Sequence, residues 1–216
     1  MAETPTLPRR HPTQKRSEET VKRITDAAGE LLARIPLEFI TTNRIAQQAG
    51  ISIGALYRFY PDKQSIFDAV AVQHVRHFQT WLEIGVIKPL EDELKSGLGG
   101  INPYKFLENV IDTYIKYLDQ NADFRALAFG RLISPGTKER QASPISGLPA
   151  LLKNFMLGRM RIPSTPELDL MLRVVSEAGE RLIAYAYEQP TREARDQVIE
   201  ETKRMLTGYL FVVPAR

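Results

Sequence analysis

The hydrophobic positions of this chain recur with the spacing of amphipathic helices, and no stretch alternates as a half-buried strand would. The first clear stripe consists of Val21, Ile24, Ala28, Leu31, Leu32 and Ile35. This period of 3.6 residues predicts a helix that begins at Thr13 or Ser17 and ends at Ile35, where Pro36 stops it. The same pattern continues along the chain, which indicates an all-α fold.

Proline and glycine divide the rest of the chain into further predicted helices. These run from Lys63 to at least Ile84 and over Pro103–Asp119, Asp123–Ile133, Leu148–Met160, Pro166–Glu188 and Thr191–Val212. Pro89 and the glycines at 97, 99 and 100 predict a break after the helix that begins at Lys63. Residues 134–149, rich in proline and glycine, are predicted to form a loop.

Residues 41–60 have the pattern of two short helices around a glycine turn. Gly50 lies where the chain must turn sharply, a place that favours glycine because φ is positive there. Ser52 can cap the second helix. The apolar anchors of the two helices are Ile45, Ala46, Ala49 and Leu56. This spacing predicts a helix-turn-helix whose second helix, about Ser52–Phe59, enters a DNA major groove.

The stretch resembles the N-terminal motif of the TetR family of bacterial transcriptional regulators. The residues that carry the resemblance are Thr41, Thr42, Ile45, Ala46, Ala49, Gly50, Ile51, Ser52, Gly54, Ala55, Leu56, Tyr57 and Lys63. It covers about Thr13 to Phe78 as a motif and rests on chain length and helix pattern beyond that. It implies a homodimer with two helix-turn-helix heads on a palindromic double-stranded DNA operator, and a helical body that encloses a small-molecule pocket.

One set of side chains is predicted to contact DNA. It consists of Thr41, Thr42, Asn43, Ser52, Ile53, Gly54, Ala55, Tyr57, Tyr60 and Lys63. The resemblance implies phosphate contacts at Thr42, Tyr57 and Lys63. Capping alone remains the alternative for the threonines, and simple packing for Tyr57.

Two parts of this set follow from other considerations. Residues 52–55 form the first turn of the predicted recognition helix, and their small or apolar side chains suit methyl contacts and close backbone approach. Asn43 can reach a base edge or a phosphate.

The family commonly has Tyr or His at the position of Phe59 and an apolar aromatic at that of Tyr60. This chain has the reverse order, so Phe59 cannot donate a hydrogen bond, and Tyr60 is the candidate phosphate ligand there if the end of the helix shifts.

The positive charge is concentrated at the N-terminal end. The formal net charge is +3, and all of this excess lies in residues 1–63. Residues 9–16 hold four basic side chains and no acidic one, which suits a phosphate backbone, although a solvated tail is the alternative. We predict a disordered basic arm over residues 1–12, a helix-turn-helix domain over 13–78, and a ligand-binding and dimerisation domain over 79–216.

Other classes of function receive no support from the sequence. Cysteine is absent, so there is no disulfide and no thiolate metal site. His74 and His77 could share a helical face, but two histidines do not complete a metal site, and we predict none. No catalytic motif and no cofactor site is found. Neither a signal peptide nor an apolar run of about 20 residues is present, which predicts a cytoplasmic protein without membrane contact.

Aromatic and methionine side chains in the predicted body belong either to its core or to a pocket lining. The candidates for the lining are Tyr114, Phe129, Phe155, Met156, Met171 and Tyr185. A pocket of this composition favours a hydrophobic effector. The loop at 134–149 is predicted to form a mobile edge of its entrance.

The last two predicted helices are apolar over more than one face. Their apolar positions are Met171, Val174, Val175, Ala178, Leu182, Tyr185, Val198, Thr202, Met205, Leu206, Tyr209 and Leu210. One face would pack on the body and the other on a two-fold partner, giving a four-helix interface. Ala178 and Gly179 are predicted to allow close approach there.

The leading hypothesis is therefore a TetR-type regulator, a repressor that a ligand releases from its operator, and not an enzyme. The alternative is a helical protein that binds a small molecule or a partner and whose helix-turn-helix is structural only. Salt-dependent binding to promoter DNA distinguishes the two.

Overall fold

The computed structural model describes residues 15–96, 102–130, 132–134, 153, 157–158 and 163–211. Every regular element in this part of the chain is helical, which confirms the predicted all-α class. The helices are α1 (Lys15–Arg34), α2 (Thr42–Gln48), α3 (Ile53–Tyr57), α4 (Lys63–Leu82), α5 (Lys88–Lys95), α6 (Pro103–Gln120), α7 (Ala122–Phe129), α8 (Pro166–Tyr187) and α9 (Arg192–Phe211). None of the helices described is long and apolar enough to span a membrane.

Most observed helix ends lie within two residues of the predicted ones, and α7 is the exception. It ends at Phe129 rather than at Ile133, and Gly130 follows as its C-cap. The Leu132 backbone N–H then donates to the Leu127 carbonyl at 3.1 Å, and Ile133 is buried. The predicted loop at 134–149, the predicted helix Leu148–Met160 and the basic arm fall almost entirely outside the described residues.

Pro89 does not interrupt the helical backbone as predicted, and the glycines of the predicted break, at 97, 99 and 100, lie outside the described residues. The backbone passes from α4 through a π-helical turn, Glu83–Ile87, directly into α5, and Pro89 lies in the first turn of α5. Proline is tolerated in a first helical turn because its missing N–H has no intrahelical partner there. The wider hydrogen-bond pattern of the π turn makes room for the pyrrolidine ring, which in a regular helix clashes with the carbonyl four residues before it.

The chain divides into two compact units. The first contains Met1–His77 and Lys116–Ser143, and the second contains Phe78–Ile115 and Pro144–Arg216. Helix α7 packs against α1 in the first unit. Helices α4 and α6 supply residues to both units.

In the first unit, α1 packs against α2 and α7, and α2 packs against α3. The shared core is lined by Ile24, Ala28, Leu32, Ile40, Ile45, Ala46, Leu56, Tyr60, Ile66, Phe67, Val70, Ala71, Leu127 and Ile133. The buried carboxylate of Asp68 accepts hydrogen bonds from the backbone N–H and the hydroxyl of Ser134, at 3.0 and 2.7 Å. This pair fixes residues 132–134 on α4.

A polar network lies in the same unit, where α4, α6 and α7 meet. The ring nitrogens of the buried His74 lie 2.8 Å from the Tyr117 hydroxyl and 2.8 Å from the Asp123 carboxylate. The Tyr117 hydroxyl also donates to the His74 carbonyl at 3.2 Å. A Cβ at Gly29 of α1 would lie 2.9 Å from that carboxylate, so the absence of a side chain there permits the close approach. His74 is therefore a structural residue of the core.

The acid sensitivity of this network follows from the pKa of Asp123. Burial alone would raise that pKa, but the hydrogen bond and the charge of His74 outweigh burial and lower it below the ordinary value of 3.8. The folded carboxyl thus stays ionised at a pH where the unfolded one already takes up a proton. Its contribution to stability is complete above the unfolded pKa and is lost as the pH falls through the folded pKa.

We expect Asp123→Asn to lower the free energy of unfolding at pH 7 by about 1 kcal/mol, because it replaces a charge-assisted hydrogen bond with a neutral one. It should also flatten the loss of stability below about pH 4. Urea unfolding at a series of pH values measures both effects, with Glu108→Gln, at an exposed position of α6, as the control. An unchanged acid limb in Asp123→Asn would contradict the assignment.

In the second unit, α8 packs against α9, and one polar contact joins each of them to α6. The Lys203 ammonium lies 2.6 Å from the Asp112 carboxylate, and the Tyr187 hydroxyl donates to the Ile115 carbonyl at 3.3 Å. The apolar positions predicted for the dimer interface fall into two groups. Val175, Thr202, Leu206 and Leu210 are buried within the unit, whereas Val174, Tyr185, Met205 and Tyr209 are exposed.

Gly179 does not have the role that was predicted for it. It is buried, and a Cβ there would lie 3.2 Å from Cδ1 of Leu206 on α9. The small residue therefore serves the contact between α8 and α9 inside one chain rather than close approach to a partner.

Candidate nucleic-acid interface

The turn between α2 and α3 has the geometry that the sequence predicts. Gly50 adopts a φ of +63°, the left-handed region in which a Cβ is strained. The Gly50 N–H donates to the Gln47 carbonyl and the Ile51 N–H to the Ala46 carbonyl, both at 3.0 Å. Ile45 and Leu56 are fully buried and anchor the two helices to the core.

Arg23 of α1 holds this turn from outside the motif. Its guanidinium donates to the carbonyls of Ala49 and Gly50, at 2.5 and 2.9 Å. These carbonyls lie past the end of α2, where helical partners run out. Nothing in the local sequence signals this contact, because Arg23 is 26 residues from Ala49 in the chain.

The two predicted caps are present. The Thr41 hydroxyl accepts from the Arg44 N–H at 3.2 Å, and the Ser52 hydroxyl accepts from the Ala55 N–H at 3.1 Å. An N-cap hydroxyl uses its oxygen as acceptor and keeps its own O–H to donate. Capping and donation to a DNA phosphate are therefore compatible at Thr41 and Ser52.

Thr42 and Tyr57 come together although they belong to different helices. The Thr42 Oγ1 atom lies 3.0 Å from the Tyr57 hydroxyl oxygen, and the Tyr57 side chain is 43% exposed. One hydrogen bond between two hydroxyls consumes one O–H, so the other O–H can donate outwards. The pair thus presents a free donor at the surface in either orientation of its hydrogen bond.

Lys63 is held at the start of α4. Its ammonium donates to the Ile40 carbonyl at 3.0 Å and lies 5.7 Å from the centre of the Phe67 ring. An ammonium has three donors, so this contact leaves others for a phosphate. Lys63 is half-buried, which restricts the positions its charge can take.

The outer surface of α3 is small and apolar, as predicted. Ser52, Ile53 and Gly54 are exposed, and Ala55 is half-buried. A Cβ at Gly54 would meet no atom within 4 Å, so packing does not require glycine there. This leaves an open position at which a DNA backbone or base edge could approach closely.

The predicted phosphate contact of Tyr60 is wrong. Its side chain is only 1% exposed and packs in the core of the first unit. Burial raises the pKa of its hydroxyl, so the group stays neutral. Tyr60 lies four residues after the buried Leu56, and its N–H donates to the Leu56 carbonyl at 3.0 Å, so this helical turn places both side chains on the core face.

The first turn of α2 exposes an arginine, Arg44, that was not among the predicted DNA contacts. Asn43 and Arg44 are both exposed in its first turn, and the Arg44 guanidinium donates to the Phe39 carbonyl at 3.0 Å. An arginine has five N–H donors, so this bond leaves most of them available. Arg44 follows the predicted contact Asn43 directly in the chain, and this neighbouring position could have identified it as a candidate phosphate contact.

Comparison with known proteins bears on both units of the chain. The family model described as bacterial regulatory proteins, tetR family, matches residues 24–70. The model described as tetracyclin repressor-like, C-terminal domain, matches residues 104–210. Together the two matches extend over both the helix-turn-helix and the body.

The chain belongs to the TetR family. It is therefore a DNA-binding transcriptional regulator by family, and members of this family are regulators rather than enzymes. No curated protein matches it significantly.

Solved structures share this TetR fold at low sequence identity. A TetR-family regulator from Streptomyces coelicolor superposes with a TM-score of 0.66 at 23% identity, covering 90% of this chain and 99% of the other. RolR in complex with resorcinol gives 0.60 at 17% identity, covering 88% and 89%. The Thermus thermophilus repressor FadR in complex with lauroyl-CoA gives 0.58 at 21%, covering 90% and 97%.

A cavity lies in the second unit of this TetR-family chain. The cavity is small, with about 20 Å³ of space accessible to a water-sized molecule. The residues that line it are Phe78, Leu107, Val110, Ile111, Tyr114, Val175, Ser176, Gly179, Glu180, Ile183 and Leu206. Helices α6, α8 and α9 supply most of this wall, and apolar side chains dominate it.

Of the four predicted pocket residues in the described part of the chain, only Tyr114 lines this cavity. Phe129 is a half-buried residue of the first unit, Met171 is half-buried on α8 outside the lining, and Tyr185 is 46% exposed on the surface of α8. The predictions for these three are therefore wrong for this cavity. Phe155 and Met156 lie outside the described residues.

Proposed function

We propose that this chain is a ligand-released repressor that binds a palindromic operator as a homodimer. The paired hydroxyls of Thr42 and Tyr57, 3.0 Å apart and at the surface, carry the DNA-binding part of the proposal. They join the two helices of the motif at a position where the family contacts a phosphate. Such a regulator would act in the cytoplasm, where its DNA lies.

The way the head would engage DNA follows from its exposed groups. The Thr42–Tyr57 pair, Lys63 and the cap hydroxyls would bind phosphates and fix the position of the head. The exposed turn of α3 would lie in the major groove, with Ile53 and Ala55 against thymine methyl groups. Asn43 and Arg44 would supply polar contacts beside it. With so few bidentate groups on α3, DNA shape would contribute to sequence preference.

The cavity of the second unit supports the ligand-responsive part of the proposal. The structural neighbours RolR and FadR were solved with resorcinol and lauroyl-CoA, so this fold accommodates small molecules of different size. A ligand that prefers one arrangement of the dimer would change the spacing of the two heads through α4, which contributes residues to both units. Ligand and operator would then weaken each other by the same factor.

Binding to DNA as a function of salt tests the first step. The probe is a pool of random 30-base-pair duplexes enriched by rounds of binding, followed by anisotropy measurements on the selected sequence. We expect the logarithm of the association constant to fall linearly with the logarithm of salt concentration, with a palindrome among the selected sequences. If the helix-turn-helix is structural only, no sequence is enriched and the protein binds no duplex at low salt.

Lys63→Ala should weaken binding to all DNA sequences alike and make the salt slope shallower by about one unit. It also removes the hydrogen bond to the Ile40 carbonyl, which costs about 1 kcal/mol of folding stability. Lys63→Gln separates the two roles, because an amide can still donate to that carbonyl but carries no charge. The two variants should therefore share the salt slope and differ in melting temperature.

The matched control for charge is Lys105→Ala, which removes one exposed lysine from the second unit. We expect its salt slope to equal that of the wild type. An unchanged slope in both Lys63 variants would show that this ammonium does not bind phosphate.

A further inference from the structure

A side chain of α1 binds the backbone of the turn between α2 and α3. The Nη2 atom of Arg23 donates to the Ala49 and Gly50 carbonyls, at 2.5 and 2.9 Å. A Cβ at Gly50 would lie 3.0 Å from the same nitrogen, so the guanidinium lies directly against the turn. Arg23 precedes by one residue the segment that matches the family model, residues 24–70. The contact therefore lies outside the helix-turn-helix motif itself.

Helix α3 depends on contacts near its two ends for its orientation. It has only five residues, and a helix of that length is not stable by itself. Near its C-terminal end, the fully buried Leu56 packs in the core. Before its N-terminal end, Ile51 is half-buried against the same core. The two carbonyls bound by Arg23 directly precede Ile51, so this arginine fixes the chain where it enters α3.

A second hydrogen bond joins α1 to α2 near the same turn. The side-chain amide of Gln48 donates to the Glu30 carboxylate at 2.6 Å, and both residues are exposed. Gln48 is the last residue of α2, so this bond holds the helix before the turn and not the backbone of the turn. It joins the same two elements without touching the carbonyls that precede α3, and it is therefore a matched comparison for Arg23.

The guanidinium of Arg23 has more donors than the turn uses. Only Nη2 binds the two carbonyls, which leaves the N–H groups of Nε and Nη1 outside this contact. A direct contact with a DNA phosphate is therefore the competing role. The observed geometry favours an effect through the turn, because two backbone carbonyls hold the guanidinium against it.

We propose that Arg23 is a positioning residue for DNA recognition, which sets the orientation of α3 through the Ala49 and Gly50 carbonyls and touches no base. The proposal rests on the proposed function in that α3 is the helix that enters the major groove. Non-specific complexes are held by phosphates, so the orientation of α3 matters little in them. Arg23 therefore contributes to the ratio of specific to non-specific affinity.

Arg23→Met tests this role in the full chain. Methionine keeps a long unbranched side chain and a high helix propensity but has no N–H group to donate, and the variant should fold because Arg23 is exposed. We expect at least about tenfold weaker binding to the selected palindromic duplex, since both heads of the proposed dimer lose the contact. The affinity for a scrambled duplex and the salt slope should stay close to those of the wild type. Anisotropy at several salt concentrations measures all three.

Amide hydrogen exchange of the free protein gives a second readout that needs no DNA. The Gly50 and Ile51 N–H groups donate to carbonyls of α2 and so close the turn. We expect both amides to exchange about fivefold faster or more in Arg23→Met, because the turn opens more often. The control Gln48→Ala should keep the wild-type exchange of these amides and the wild-type ratio of specific to non-specific affinity.

Three results would overturn the proposal. A salt slope shallower by about one unit in Arg23→Met, with equal losses on both duplexes, would show that the arginine binds a phosphate directly. Unchanged affinity for the palindrome, or wild-type exchange of the two turn amides, would show that α3 keeps its orientation without it. If the wild-type protein binds no duplex, the proposed function fails, and the exchange rates alone decide whether Arg23 fixes the turn.

Discussion

Ala55→Glu is expected to abolish operator binding and to leave the fold intact. Ala55 is half-buried in the first turn of α3, on the helix proposed to enter the major groove. A carboxylate there would face base edges and phosphates at close range, and such like-charge contact costs several kcal/mol, or roughly a hundredfold or more in affinity. The fold should tolerate the change, because an acidic side chain is favourable in a first helical turn.

Two variants control for charge and size in this experiment. Ala33→Glu places the same side chain at an exposed position near the end of α1 and should bind the operator nearly as well as the wild type. Ala55→Gln has the size of Glu without its charge and should lose less affinity. Anisotropy gives the affinities and urea unfolding the stabilities. Operator affinity within threefold of the wild type in Ala55→Glu would contradict the placement of α3 in the groove.

The parts of the head that the sequence predicts well are those encoded locally. A 3.6-residue stripe, a capping hydroxyl and a turn glycine each act over a few residues, so helix bounds and the positive φ of Gly50 follow from the chain itself. Contacts between distant segments have no such signal. The hydrogen bond from Arg23 to the Ala49 carbonyl joins residues 26 positions apart, and the His74–Asp123 pair joins residues 49 positions apart. No periodicity in the sequence predicts either contact.

The error at Tyr60 has a different origin. Tyr60 lies one turn after the buried Leu56, and residues four positions apart share a helix face, so the helical phase already places Tyr60 in the core. The prediction for Tyr60 followed the order of the two aromatic residues instead of this phase. Tyr185 was expected at the pocket on its aromatic character, which does not distinguish the faces of a helix. Tyr185 lies two residues beyond the cavity residue Ile183, which is about 200° around α8, and it consequently faces solvent.

Paired substitutions on α8 and α9 should convert the proposed dimer into monomers and greatly weaken operator binding. Leu170, Val174 and Tyr185 are exposed on α8, and Met205 and Tyr209 are exposed one turn apart on α9. At 100° per residue, the three α8 positions fall within about 60° of one another and form one stripe. We expect Val174→Glu combined with Met205→Glu to reduce the mass measured by light scattering from twice 24.5 kDa to that of one chain.

The loss of operator affinity follows from valency rather than from any change in the heads. Two linked heads on one palindrome gain a factor of about 10² to 10⁴ over a single head, and a monomer forfeits it. Ile84→Glu, which changes a 62% exposed apolar residue outside α8 and α9, should keep both the dimer mass and the affinity. A wild-type monomer at micromolar concentration, or a dimer that survives both charges, would place the interface elsewhere. Monomers that still bind at wild-type affinity would instead show that one head suffices.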